Sequence, residues 1–177
     1  MHIRSVLTLL ALATVGCGSN DTSPGNERLT ANMAASKEVN NDGTPKNLAS
    51  TASGTATFTV VGDRVDYVVT GNNIDNVFAA HIHAPASATQ NAPIVVGLYG
   101  VAQAEATGPY TNSEIVHGSF TSAQIANANI TMDSLLTLMR NGHAYVNVHT
   151  TTNTAGEMRG QLGRTGGTSS STGGGGG

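Results

Sequence analysis

The sequence predicts an all-β domain, a sandwich or barrel of about eight short strands with one short helix before the penultimate strand. Three observations carry this. Short runs alternate apolar and polar residues, with turn-forming residues between them at the spacing of a sandwich. A single segment switches to helical spacing. The chain has one cysteine, Cys17, so packing without disulfides must hold the domain, which spans roughly residues 29–162.

The elements follow in order. Leu29 to Ala35 is the first strand. In "SGTATFTVVGDRVDYVVTG", Ala56, Phe58 and Val60 alternate with Thr55, Thr57 and Thr59; Gly62-Asp63 interrupts, and Val65, Tyr67 and Val69 resume. That is a β-hairpin with threonine on its wet face. Strands are also expected at Ile74 to Ala84, Ile94 to Tyr99, Ile115 to Phe120, His143 to Thr150 and Glu157 to Leu162. The segment "MDSLLTLMRNG" places Leu135, Leu138 and Met139 at helical spacing, with Asp133 positioned to cap the start and Gly142 to end it. Its apolar stripe is expected to cover an open end of the β-structure.

The termini read differently. "MHIRSVLTLLALATVGC" has a basic start, an apolar run from Val6 to Val15 and a small-residue end, the pattern of a secretory signal that is too short to span a bilayer. Cleavage before Cys17, after Val15 and Gly16, resembles a bacterial lipobox, although Thr14 stands where Leu is usual. That resemblance implies residues 1–16 as a lipoprotein signal peptide and Cys17 as the lipidated, membrane-anchoring residue. Ser19 then favours the outer membrane of a Gram-negative cell. Residues 17–28 read as a flexible tether and 163–177 as a Gly/Ser/Thr-rich tail that cannot order itself. Charged residues make up 11% of the chain and the net charge is -3, so no basic footprint for nucleic acid exists. With no tryptophan and 4% aromatics, a stacking surface for bases or sugars is not expected.

The residues that call for chemistry are histidines. "VFAAHIHAPA" sets His81 and His83 two apart, on one face of a strand, with Phe78, Ala80 and Ile82 expected on the other. "GHAYVNVHTTTNTAGEMRGQLG" likewise separates Ala144, Val146 and Val148 from His143, Tyr145, Asn147 and His149, and then places Glu157, Arg159 and Gln161 on one side of the last strand. Two histidines at this spacing and a third from a neighbouring strand can reach one ion, and three imidazoles suit copper first and zinc second. Glu157, Asn147 or a backbone carbonyl could then hold the second ring nitrogen of a ligand. The competing reading is a structural polar cluster that fixes the loop from Ala84 to Pro93 and the "TTTNTAG" turn. His143 lies roughly 20 Å along the strand from His149, too far to share an ion unless the strand bends sharply. His117 reads as a rim residue. Glu157 and Arg159 read as a same-face ion pair, with an anion-attracting role for Arg159 as the functional alternative.

"AAHIHAPA", "NAPIVVGLYG" and "MRNGHAYVNVHTTTNTAGEMRGQL" closely resemble the CHRD domain, found in chordin and in many bacterial exported proteins. "LTANMAASKEV" and "SGTATFTV" fit as well; Asn40-Asn41 stands where the family has Pro-Pro, and His143 where Asn is commoner. A remoter resemblance is to copper/zinc superoxide dismutase, in the order of His81 and His83, then His149, then a turn and Arg159. It implies His81, His83 and His149 as copper ligands and Arg159 as the catalytic anion guide; nothing clearly supplies the bridging histidine, the zinc ligands or the disulfide. The expected fold is thus a Greek-key β-sandwich or barrel. The expected function is that of an exported, lipid-anchored CHRD-domain protein with a binding or structural role at the cell envelope, toward an unknown envelope partner. Its alternative is a copper-binding protein, and if an enzyme, one resembling superoxide dismutase.

Overall fold

The computed structural model describes residues 27–126 and 129–165. The expected signal peptide, Cys17 and most of the expected tether and tail lie outside the described residues. Among those described, no helix is long and apolar enough to cross a membrane.

Eight strands form: β1 (Glu27–Ala34), β2 (Ser53–Val61), β3 (Arg64–Gly71), β4 (Val77–His83), β5 (Ile94–Gly100), β6 (Ser113–Phe120), β7 (Tyr145–Thr150) and β8 (Met158–Arg164). All pairings are antiparallel, in the order β5-β4-β7-β8-β1-β2-β3-β6. The sheet curls until its two edges meet. Across that seam the Tyr67 hydroxyl on β3 donates to the Leu98 carbonyl on β5 at 2.8 Å, and the Ala126 amide beyond β6 donates to Val95 at 2.8 Å. Around this nearly closed barrel β7, β4, β5 and β6 lie in succession, so β7 returns to sit beside β4, as the Greek key requires.

The hairpin forms where the alternation placed it. Val61 pairs with Arg64 across a two-residue turn in which Gly62 takes φ +63°, a conformation glycine adopts without a Cβ penalty. Ala56, Phe58, Val65 and Val69 enter the core while Thr55 stays exposed. The helix, α1 (Met132–Arg140), turns Leu135, Leu136 and Met139 into the same core, with Leu138 only partly buried. Its cap lies two residues earlier than expected. Thr131, not Asp133, accepts from the Ser134 amide, and Ser134 reciprocates to Thr131, so Asp133 sits in the first turn, where its charge favours the helix dipole. Gly142, at φ +74°, ends the helix as expected.

Several strand ends also differ: β4 begins at Val77 rather than Ile74, β6 at Ser113 rather than Ile115 and β7 at Tyr145 rather than His143. β1 begins at Glu27, whose carboxylate is held by Arg140 and Arg164, and β8 continues through Gly163 to Arg164, paired with Leu29 and Thr30. The parity of β4 slips once. Val77 pairs with Thr150 but Ala79 with His149, an extra residue on β4 that flips Phe78 from the core to the histidine side, its ring 6.2 Å from that of His149.

The outer face of β4, β7 and β8 is covered as well. Segments 35–52 and 84–93 fold over it: Asn91 donates to Val39 and Asn41, and Gln161 to Ala86. All six residues of β7 are therefore buried, on both faces.

Candidate functional site

β4 and β7 are neighbours, with His81 opposite Asn147 and His83 opposite Tyr145. That register brings His81, His83 and His149 together on the covered outer face. Their candidate ligand nitrogens all lie within 4.8 Å of one another. His81 Nδ1 and His149 Nε2 are 3.1 Å apart. His83 and His149 are 8% and 9% exposed, and His81 is more open.

Backbone carbonyls choose the tautomers. His83 Nδ1 donates to the Ala92 carbonyl at 2.8 Å and His149 Nδ1 to the Thr154 carbonyl at 3.0 Å. A carbonyl only accepts, so in both rings Nδ1 carries the proton and Nε2 keeps a lone pair. His149 aims that lone pair at His81. His83 Nε2 is buried with no hydrogen-bond partner. An unsatisfied buried polar atom costs about 1–3 kcal/mol, so its retention needs a reason.

The rings are neutral. Burial, then the charges of His149 and His83, bring His81 down to about 4, and burial likewise lowers His83 and His149 despite their carbonyl partners. Neutral imidazoles whose other nitrogen is fixed by a carbonyl are what a metal ligand requires. An ion at about 2.0–2.1 Å from each nitrogen needs the widest separation to close by about an ångström, within reach of small ring rotations. Among the described residues, no carboxylate or thiolate belongs to the cluster.

The supports are specific. His83 stacks on Tyr145 with centroids 4.8 Å apart and planes 3° from parallel, and the Tyr145 hydroxyl accepts from the Ala92 amide at 3.3 Å. Ala92 is thereby held at both its amide and its carbonyl. Arg159 lies 3.6 Å over the Tyr145 ring. It is 1% exposed, and its donors go to Asn91 Oδ1, the Gln90 and Ser87 carbonyls and Gln161 Oε1. The expected ion pair with Glu157 does not form. Glu157 instead accepts from Ser50, Thr150 and Asn153, which locks the turn that presents the Thr154 carbonyl; burial opposes its ionisation, and these three bonds outweigh it. A guanidinium so enclosed clamps the 84–93 loop and offers no face to solvent.

Of the other candidates, His143 is exposed beside the end of α1, and His117 pairs with Glu114 on exposed β6. Neither joins the cluster. Glu38 went unread in the sequence as a site residue. It is 2% exposed with Oε1 unpartnered, and burial raises it to about 7 against the pull of Lys46 and Arg159. A lone acid after a 3₁₀ turn carries no pattern that would reveal this. A cleft of about 1090 Å³ beside it, lined by Lys37, Arg140 and Arg164 among others, contains none of the three histidines.

No curated protein and no solved structure matches the chain. A family does, over residues 29–162, which include both histidine strands, the loops that lock their rings and Arg159. The chain belongs to the CHRD domain family.

Proposed function

We propose that this CHRD domain binds copper through His81, His83 Nε2 and His149 Nε2, with zinc as the weaker competitor. The observation that carries the reading is the unpartnered Nε2 of His83, buried and facing two other neutral imidazoles. For imidazole donors the divalent series peaks at copper. We place the protein at the cell envelope, exported and lipidated on Cys17, a placement supported by the leader sequence alone. Copper bound there would supply a Lewis-acidic, redox-active centre; the chain's own part is to hold three neutral rings through Ala92, Thr154 and Tyr145.

The test is elemental analysis of the untagged chain beside a His81→Ala/His149→Ala variant, both exposed to copper and zinc. Near-stoichiometric copper in the first and none in the second is expected. Metal in neither would leave the rings as supports of the 84–93 and 150–157 loops, the structural role that the same carbonyl contacts also serve. The envelope placement is tested separately, by fractionation of a Cys17→Ser variant, which should leave the membrane fraction.

A further inference from the structure

Resting on the copper reading above, we infer that the buried Arg159 guanidinium tunes the three-histidine site toward monovalent copper. Tyr145 stands on β7 between β4 and β8, so its ring meets His83 from one neighbour and Arg159 from the other. The cation is thus one aromatic ring away from a metal ligand. All its recorded hydrogen bonds go to neutral oxygens, from Ser87, Gln90, Asn91 and Gln161. Its charge is therefore not cancelled by a bonded carboxylate. The nearby acid, Glu38, is buried and gives up its proton only near pH 7.

Two further features point the same way. The ligand set is three neutral imidazoles, with no carboxylate or thiolate to offset the second charge of a divalent ion. Arg159 is 1% exposed, so water and salt screen it poorly. A fixed positive charge about 10 Å from the ion, at an effective dielectric of about 20, disfavours the dication over the monocation by about tenfold in binding constant.

The experiment compares Cu(I) affinity, by competition with bicinchoninate under ascorbate, with Cu(II) affinity, by competition with glycine, in the full chain. Arg159→Met should shift the ratio about tenfold toward Cu(II), while Arg159→Lys, which keeps the charge, should shift it much less. Circular dichroism reports whether each variant folds. Should Arg159→Met not fold, Arg159→Gln, which keeps a donor toward the loop oxygens without the charge, carries the same test with the same sign. A wild-type site that prefers Cu(II), or a ratio unmoved within twofold in the folded variants, overturns the inference and leaves the copper reading standing. No copper bound by the wild type in either state overturns the copper reading itself.

Discussion

The β2–β3 hairpin and the β4–β7 pair belong to one barrel and obey the same antiparallel rules, yet of the two only the second carries the three-histidine cluster. The hairpin has one dry face and one wet one. Phe58 and Val65 are buried, and the threonines opposite face solvent or nearly so. Polar groups there can be satisfied by water, so the sequence needs no specific partners for them. The β4–β7 pair is dry on both faces, because segments 35–52 and 84–93 cover its outer side. Each polar side chain placed there must find a partner built into the fold. His149 finds Thr154 and His83 finds Ala92 on one nitrogen only; Asn147 Oδ1 and Glu38 Oε1 are also unmet, but it is the His83 nitrogen that belongs to the three-histidine cluster, the candidate site.

The largest effect should come from the element the two regions share, the core beneath them. Phe58, fully buried on β2, packs 6.2 Å from the Tyr67 ring. Phe58→Ala should cost about 3–5 kcal/mol in urea unfolding through lost burial and the cavity left behind. Copper affinity of the fraction that stays folded should not change, because Phe58 lies on the other side of the barrel wall from the rings. A changed affinity would show that the two faces are coupled and the contrast between them is false.

Next is His149→Ala, which takes away a proposed copper ligand and the hold on Thr154. Copper should be lost entirely, while stability of the metal-free domain should fall by only about 1–2 kcal/mol, the scale of one buried hydrogen bond. A collapse of the fold without a metal effect would favour the purely structural cluster.

Acidity separates the polar groups of the covered face from one another. His81 sits at about 4 in the folded chain against an ordinary 6.5, and His83 and His149 are lowered too. Below 6.5 the unfolded chain binds more protons than the folded one, so this contribution is intact above 6.5 and is lost as the pH falls toward 4. Glu38 runs the other way. Raised from 4.5 to about 7, it keeps its proton when folded, so its contribution is intact below 4.5 and is lost as the pH rises through 7. Between 4.5 and 6.5 the two slopes oppose. In the metal-free protein, Glu38→Gln removes one of them, and its urea midpoint should climb more steeply with pH across that window than the wild type's. Parallel curves would mean that Glu38 is ionised in the folded state.

The contrast also explains what could be read in advance. Period-two alternation is produced by one wet face and one dry face, so the hairpin was legible residue by residue. In β7 the alternation correctly separated Val146 and Val148 from Asn147 and His149, but it implied a polar face, and the covering loops make that face buried. The pairing of His81 and His83 with His149 was legible because side-chain direction follows strand parity. Phe78 departs from that parity because a bulge adds a residue there, and a bulge leaves no mark in the sequence. Arg159 falls on the side of β8 that alternation predicts, but its partners are loop oxygens and Gln161 rather than Glu157. The Asn91 side chain and the Ser87 and Gln90 carbonyls that hold it come from a loop, where neither period applies.

The smallest expected effect is at the wet face. Thr59 lies opposite Arg28 and Asp66 in the ladder, and no side-chain hydrogen bond ties it to either. Thr59→Ala should change stability by no more than about 0.5 kcal/mol, as exposed substitutions away from caps and networks do. Copper affinity should be untouched. The same truncation at a covered position, Asn147→Ala, would remove a side chain against which Gly156 packs so closely that a Cβ there would come within 2.5 Å of its amide. It would also loosen the strand that presents His149. If Thr59→Ala proved as costly as Asn147→Ala, the hairpin's outer face would have to be doing more than meeting water, and the search for a partner surface would move there.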